Sequence, residues 1–530
     1  RDLHYPLRRQ RQMCIRDRNY TNIKCNTLSK SAWQLLGDYL KDTQLLGSIQ
    51  STLYWDQNTS MPIAGSAWRG EQLSLLAKQL HARQSSEQFE ILIKEAKSEL
   101  QNLREKDDFE SELMTDRFKN IELLEQDFNR QKRLDPKLDV ELATAKSEGY
   151  MYWQEASKNN DFKSFSPALK KLISLRKEQS IQLGEPRSCW ETLAQPFEPN
   201  LTINRVSELF EPLKKRLPEL IQKAEKITNK KSEKWDLANN DQEKLCQILL
   251  NDWSRDPSNT AIAKSPHPFS ITLGPDDYRI TTRIVKGQPL SCLLATAHEW
   301  GHSLYEQGLP SESHQWFAWP LGQATSMAVH ESQSLFWENR IARSFSFAKS
   351  FWHHFENAGA PIHSGDDLWI NLNPFTPGLN RVEADELSYG LHIMIRTDLE
   401  IDLLERGLSV EDLPNEWNKR YLNLLGVSPG NDTEGCLQDV HWSEGMFGYF
   451  PSYLLGHLIS AQLTKTLEED LGKIENIIEA NEISKILGWL RKNVHHYGRS
   501  LDSEELVKKV SGAKLSPTYF LEYLDNKLEK

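Results

Sequence analysis

Apolar side chains recur at the three- and four-residue spacing of an α-helix through most of the chain after residue 31. Clear examples are Trp33, Leu35, Leu36, Tyr39 and Leu40, then Leu73, Leu75, Leu76 and Leu80, then Val206, Phe210, Leu213 and Leu217. Turn sequences at 62–65, 183–188 and 426–432 separate such segments without a Ser/Gly-rich linker. We therefore predict an all-α protein in which residues 31–530 form one large domain.

One segment departs from the helical pattern. The sequence "FSITLGPDDYRITTRIV" (269–285) is rich in Thr, Ile and Tyr and contains a Gly-Pro-Asp-Asp turn, which is typical of a short β-hairpin. Pro289 follows shortly afterwards, and proline favours the first turn of a helix. We expect a small β element beside the helix that begins there.

Composition and charge exclude several classes of function. Of the 530 residues, 38% are hydrophobic and 26% charged, and no apolar run reaches the roughly 18 residues that a membrane helix requires. The net charge of −11 argues against a nucleic-acid partner. The six cysteines form no C-x-x-C pair, which fits unpaired thiols in a reducing compartment. We therefore predict a cytoplasmic protein.

The first 18 residues, "RDLHYPLRRQRQMCIRDR", are rich in arginine but have no apolar core of the kind found in a secretory signal. They resemble translated sequencing-adapter sequence more than they resemble a transit peptide. We expect residues 1–18 to be non-native and exclude them from the prediction of the fold.

The stretch "ATAHEWGHSLYEQGL" (295–309) contains the pattern H-E-x-x-H. On a helix, His298 and His302 project from one face about 6 Å apart along the axis, so both rings can bind one ion. Glu299 is offset around the helix, where its carboxylate can act on a metal-activated water. Zinc is the expected ion. The pattern also arises by chance in roughly a few per cent of chains of this length, so a third ligand is needed.

Two sources of that ligand can be dismissed. The metzincin pattern requires Gly and His at positions where this chain has Tyr305 and Gly308. Glu306 lies a further turn beyond His302, too far along the same helix to share its ion. A carboxylate from a second helix remains.

The segment 322–345 is a suitable second helix, with Glu331 placed among small and polar neighbours. We therefore predict Glu331 as the third metal ligand. His330 and Glu338 are weaker candidates, for which a hydrogen-bonded or surface role is the alternative.

Six short patterns in a fixed order resemble those of the carboxypeptidase Taq family of zinc carboxypeptidases. They are "HPF" (267–269), "DYRIT" (277–281), "HEWGH" (298–302), "HESQS" (330–334), "NRVEAD" (380–385) and "GCLQDVHW" (435–442). Asn380 departs from the family, which has an aliphatic residue there. The resemblance implies that residues 31–530 are a metallocarboxypeptidase catalytic domain: an all-α ellipsoid with a deep active-site groove, similar to neurolysin and angiotensin-converting enzyme. It also implies a homodimer.

The resemblance suggests further catalytic groups near the C-terminal end of these patterns. We expect Glu299 to act as the general base, with His441, Tyr449 and Tyr453 facing the substrate. Pro451 lies between the two tyrosines and predicts an irregular turn. The alternative for either tyrosine is a core residue whose hydroxyl is hydrogen-bonded.

A carboxypeptidase must recognise a free carboxylate, which a guanidinium can hold through two hydrogen bonds. Arg381 is our first choice and Arg279 our second, since both lie inside family patterns. The alternative is an ion pair, of Arg381 with Asp385 or of Arg279 with Asp277.

The sequence thus predicts a zinc metallocarboxypeptidase that releases single amino acids from peptides with a free C-terminus. One Zn²⁺ is expected per chain, with Co²⁺ or Mn²⁺ as possible substitutes. Two alternatives remain: an endo-oligopeptidase that uses the same site, and a non-catalytic scaffold in which zinc staples two helices. The second is disfavoured because structural zinc sites usually contain cysteine.

Overall fold

The computed structural model describes residues 30–106, 112–227, 235–310, 316–375 and 378–529; the 1–18 segment lies outside them. Twenty α-helices occur in the described ranges. The first ten are α1 (Ala32–Thr59), α2 (Ser66–Gln84), α3 (Glu87–Lys106), α4 (Glu112–Lys132), α5 (Pro136–Asn159), α6 (Phe162–Leu183), α7 (Cys189–Ala194), α8 (Ile203–Ile227), α9 (Asn239–Asp252) and α10 (Ser291–Gly308). The other ten are α11 (Met327–Leu335), α12 (Phe345–Asn357), α13 (Gly365–Leu372), α14 (Tyr389–Leu404), α15 (Leu413–Leu425), α16 (Pro451–Leu471), α17 (Ile474–Glu479), α18 (Ile483–Asn493), α19 (Ser503–Ser511) and α20 (Thr518–Leu528).

The all-α prediction is confirmed, and the predicted helical segments fall inside α1, α2 and α8. The turn sequence at 62–65 separates α1 from α2, and that at 183–188 separates α6 from α7. No helix in the described part of the chain has both the length and the apolarity to cross a membrane.

A small sheet of three strands adjoins α10. Its strands are β1 (Thr260–Lys264), β2 (Ser270–Gly274) and β3 (Asp277–Thr282), in the order β1-β3-β2. Strands β2 and β3 form the predicted antiparallel hairpin, whereas β1 pairs with β3 in parallel and was not predicted. The hydroxyl of Thr282 donates to the Cys292 carbonyl at 3.0 Å and so fastens the sheet to the first turn of α10. That helix begins at Ser291, two residues after Pro289.

The buried apolar side chains of the described residues form one large core, a smaller core, and a cluster of five residues between α5 and α6. The large core extends through most elements from α5 to α20 and includes the inner faces of α10 and α11. The smaller core is formed by α1, α3 and α4 with Trp316, Trp319 and Leu321. Trp33 stacks on Trp319 with ring centroids 4.1 Å apart, which anchors α1 to the segment that leads into α11.

Two glycines allow the helices around α11 to approach closely. A Cβ on Gly301 of α10 would lie 2.7 Å from the Ser334 Cα and 2.8 Å from the Gln333 carbonyl oxygen, both on α11. A Cβ on Gly456 of α16 would lie 2.9 Å from the Glu331 Cγ. Because these neighbours include backbone atoms, larger side chains would force the helices apart.

We predict that Gly301→Ala lowers the free energy of unfolding by about 1–2 kcal/mol, since overpacking outweighs the better helix propensity of alanine. Gly47→Ala is the matched control, because Gly47 lies in α1 and a Cβ there would meet nothing within 4 Å. Gly47→Ala should raise the free energy of unfolding by about 0.5–1 kcal/mol. Urea unfolding of the two variants measures both; equal stabilisation by both substitutions would contradict a tight α10–α11 contact.

Candidate metal centre

Helices α10 and α11 bring three metal-binding groups together. The Nε2 atoms of His298 and His302 lie 3.7 Å and 3.4 Å from the same carboxylate oxygen of Glu331. The three ligand atoms lie within 4.8 Å of one another. Ligands of a tetrahedral zinc ion, at about 2.0–2.1 Å from the metal, lie roughly 3.3 Å apart, so this His–His–Glu cluster has the dimensions of a metal site.

The cluster is not sealed from solvent. The side chains of His298, His302 and Glu331 keep 23%, 13% and 14% of their surface exposed. Within the described residues no fourth His, Cys, Asp or Glu joins the group. Three protein ligands with access to solvent are typical of catalytic rather than structural zinc sites.

Each imidazole is oriented by a hydrogen bond from its other nitrogen. The Nδ1–H of His298 donates to the Glu338 carboxylate at 2.9 Å, and that of His302 to the His330 carbonyl oxygen at 3.1 Å. These bonds fix the tautomer in which Nε2 carries the free lone pair. The arrangement prepares both rings to bind an ion on the Glu331 side.

Glu338 owes its position to an irregular helix. Residues Phe336–Ala342, directly after α11, form a π-helix. Its wider turn brings Arg343 back to Glu338, where the guanidinium Nη2 lies 3.0 Å from a carboxylate oxygen. π-Helical turns are frequent at functional sites, and here the turn supports the carboxylate that holds His298.

Charges in the cluster favour its metal-binding form. Burial raises the pKa of Glu331, but the neighbouring His298 and His302 lower it more strongly, to about 2. Burial also lowers the pKa of His302 to about 3. Both groups are therefore in the deprotonated state that a cation requires.

Burial lowers the pKa of His298, but the Glu331 charge, the hydrogen bond to Glu338 and the Glu299 charge raise it, to about 10. The surroundings of His298 thus stabilise a positive charge, and a bound metal ion would supply that charge in place of the proton.

Glu299 lies beside the cluster without being one of its three donor groups. It is buried, and burial raises its pKa to about 7 against the opposing charge of His298. Its role as general base stays a prediction.

Near the cluster lie His441, Tyr449 and Tyr453, which together are called the aromatic group below. His441 Nε2 lies 3.4 Å from the Tyr453 hydroxyl, and the Tyr449 ring centroid lies 5.2 Å from that of Tyr453. Burial raises the pKa of both tyrosines, and the negative charge of Glu331 adds to the effect. Burial lowers the pKa of His441 to about 4, so the ring is neutral. Pro451 begins α16, so Tyr449 precedes the helix and Tyr453 lies in its first turn.

Arg381 lies at the edge of this aromatic group, 5.4 Å from the Tyr453 ring centroid. The expected alternative ion pair with Asp385 is wrong. The guanidinium instead binds Asp439 through Nε and Nη2, each 2.8 Å from one carboxylate oxygen. Asp385 accepts hydrogen bonds from the backbone N–H groups of Leu387 and Ser388 just before α14.

Arg279 forms the ion pair that the sequence offered as an alternative. Its Nε and Nη2 lie 2.7 Å and 2.9 Å from the two oxygens of Asp277, and the guanidinium lies 5.6 Å from the Trp55 ring centroid. Alternation along β3 buries Tyr278 and Ile280 on the opposite face. Arg279 is therefore held towards α1, and a role in substrate binding stays a prediction.

Several groups that support the site were not identified from sequence as such. Glu338 was only a weaker candidate ligand, and it binds the outer nitrogen of His298 instead. No pattern in the sequence points to the groups that hold Glu338, Arg381 and Asp439, which are Arg343, Tyr389 and Arg396 respectively. The seven-residue spacing from Glu331 to Glu338 places both on one helix face and was the one available signal.

Comparison with known proteins gives the family. The family model described as "Carboxypeptidase Taq (M32) metallopeptidase" matches residues 35–528. The chain belongs to this family. The chain is similar to thermostable carboxypeptidase 1 of Thermus thermophilus, to which it is 34% identical over 94% of its own length and 98% of the relative's. Carboxypeptidase 1 of Bacillus subtilis is 32% identical, covering 92% and 96% of the two chains.

Solved structures agree. The M32 carboxypeptidase from Deinococcus radiodurans R1 superposes with a TM-score of 0.88 at 29% identity, covering 94% of this chain and 98% of that one. Trypanosoma cruzi metallocarboxypeptidase 1 gives 0.88 at 29% identity, covering 94% and 99%. The predicted enzyme class, a metallocarboxypeptidase, is confirmed, and the family implies a divalent metal that the His–His–Glu cluster fits.

We predict that Glu338→Gln weakens zinc binding by about 10–100-fold, because the neutral amide accepts the His298 N–H more weakly and loses the Arg343 ion pair. Competition with a chelating dye measures the affinity. Glu482→Gln is the matched control, since Glu482 forms an exposed pair with Lys485 and should leave zinc binding unchanged. Wild-type affinity in Glu338→Gln would remove its supporting role.

Proposed function

We propose that the chain is a zinc-dependent carboxypeptidase that hydrolyses the last peptide bond of peptides and releases single amino acids. The observation that carries the proposal is the His–His–Glu cluster, whose imidazoles are each oriented by a hydrogen bond from Nδ1 and whose side chains stay partly exposed to solvent. Two histidines and a glutamate are a ligand set of catalytic zinc sites.

In this proposal His298, His302 and Glu331 hold one zinc ion per chain, for which Co²⁺ or Mn²⁺ can substitute. Bound zinc would lower the pKa of a water molecule to about 7 and polarise the scissile carbonyl.

Glu299 accepts a proton from the attacking water and delivers it to the nitrogen of the departing amino acid. Its burial supports this role, because a carboxylate shielded from bulk solvent exchanges its proton with the groups inside the site. The hydroxyls of Tyr449 and Tyr453 and the neutral ring of His441 supply hydrogen bonds to the oxygen that becomes negative during attack.

Arg381 is proposed to bind the C-terminal carboxylate of the substrate. Asp439 grips one edge of its guanidinium, so the side chain is held rigidly beside Tyr453 with its charge close to the aromatic group. A preorganised guanidinium suits a planar carboxylate. Arg279 is the second candidate, which would have to release Asp277. The homodimer and the cytoplasmic location stay predictions.

Recognition of a free carboxylate separates this function from that of an endo-oligopeptidase. We predict that a peptide with a free C-terminus is shortened one residue at a time, as followed by mass spectrometry. Amidation of the same peptide should lower kcat/KM by about 10–100-fold, since a charge-assisted hydrogen bond contributes about 1.5–3 kcal/mol. Internal cleavage of both peptides at equal rates would instead establish an endopeptidase.

Two variants serve as controls in that experiment. Glu299→Gln should keep its metal, measured by elemental analysis after dialysis, and lose about 10²–10⁴-fold in kcat. Glu331→Ala should lose the metal itself. Turnover that survives in Glu299→Gln would come from a contaminating peptidase or from a different base.

A further inference from the structure

Helix α14 carries a row of three buried polar side chains close to the aromatic group. His392, Arg396 and Glu400 follow one another at four-residue intervals and therefore share one helix face. All three are fully buried. Their face meets the segment 438–449, which carries His441 and Tyr449 and is called the 438–449 loop below.

The start of the 438–449 loop is held by Arg396. Its Nε donates to Asp439, which also binds Arg381, and its Nη2 donates to the Gln438 side chain at 3.1 Å. Gln438 and Asp439 belong to "GCLQDVHW" (435–442), one of the six patterns described above.

The end of the loop is held by Glu400, which lies outside the six sequence patterns that resemble the carboxypeptidase Taq family. The indole N–H of Trp442 donates to Glu400 Oε1 at 3.0 Å, and the backbone N–H of Gly448 donates to Oε2 at 2.8 Å. Trp442 directly follows His441, and Gly448 directly precedes Tyr449. The Glu400 carboxylate therefore accepts hydrogen bonds at both ends of the turn between His441 and Tyr449, the two candidate catalytic residues.

Gly448 fits this role in a way that other residues do not. Its φ of +81° is a conformation that favours glycine, and a Cβ there would lie 2.7 Å from the Ala194 Cα. The backbone is thus pressed against α7 with its N–H directed at Glu400. Trp190, also on α7, donates its indole N–H to Oε2 at 3.1 Å.

The surroundings of Glu400 are unusual for a carboxylate. Its three hydrogen-bond donors are neutral N–H groups. Burial raises its pKa to about 7 in spite of these bonds. A buried acid without an ion pair is costly, so its presence calls for a role other than stability.

We propose that Glu400 is a positioning residue for peptide hydrolysis: it locks the turn from His441 to Tyr449 so that both side chains face the metal centre. The proposal rests on the function proposed above for these two residues. Glu400 touches neither the metal cluster nor its outer hydrogen-bond partners. Its loss should therefore affect catalysis without affecting metal binding.

Glu400→Gln is the test, because glutamine keeps the shape but has only one acceptor oxygen for the three donors. We expect kcat to fall by about 10–100-fold, as for small misplacements of catalytic groups, with KM within about twofold and bound zinc per chain unchanged. Amide hydrogen exchange in the peptide that contains Gly448 should become faster.

Two tryptophan variants provide a matched pair that does not depend on the folding of Glu400→Gln. Trp442→Phe removes the donor attached to the loop and should lower kcat at least fivefold. Trp489→Phe removes a similar indole donor, one that binds Asp470 at 2.7 Å and has no contact with Glu400, and it should leave kcat within about twofold. Equal losses in both would attribute the effect to packing and overturn the proposal.

The proposal is also overturned if Glu400→Gln keeps wild-type kcat and wild-type exchange at Gly448. His441→Ala, measured in parallel, shows where the failure lies. If His441→Ala loses turnover while Glu400→Gln does not, the positioning role alone is wrong. If neither variant loses turnover, the proposed function of His441 is wrong as well.

Discussion

The close contact between α10 and α11 is the constraint on which the site depends. His298 and His302 can share an ion with Glu331 because Gly301 lets the backbone of one helix touch that of the other. Gly456 lets α16 approach the Glu331 side chain closely, so α10, α11 and α16 together determine where the carboxylate lies. A side chain at either glycine would widen the spacing between groups that must converge to within a few ångströms.

Around this contact each polar side chain is oriented by a hydrogen bond from or to another one that lies farther from the metal cluster. Glu338 and the His330 carbonyl orient the two imidazoles, and Arg343 orients Glu338. Asp439 similarly bridges Arg381 to the rest of the 438–449 loop. Such supporting contacts determine how accurately catalytic groups are held, which matters because small displacements reduce rates strongly.

Local patterns in the sequence predict much of this arrangement. Helical periodicity gives α1, α2 and α8, and the pattern H-E-x-x-H gives two groups on one helix face. Glu331 follows from the need for a third group on a second helix. The parallel strand β1 escapes prediction because its five residues carry no alternation strong enough to signal a strand. Partners distant in sequence also escape, such as Asp439 for Arg381, because side-chain spacing within one segment contains no information about them. Glu400 is the clearest case, since its three donors come from α7 and from the 438–449 loop.

The central claim is that His298, His302 and Glu331 bind one ion together. Anomalous diffraction at the zinc absorption edge, from crystals of the zinc-loaded protein, tests it most directly. The account predicts one strong peak per chain, about 2.0–2.2 Å from both Nε2 atoms and from a Glu331 oxygen. A peak bound by other residues, or one from which the Glu331 carboxylate is turned away, would contradict it.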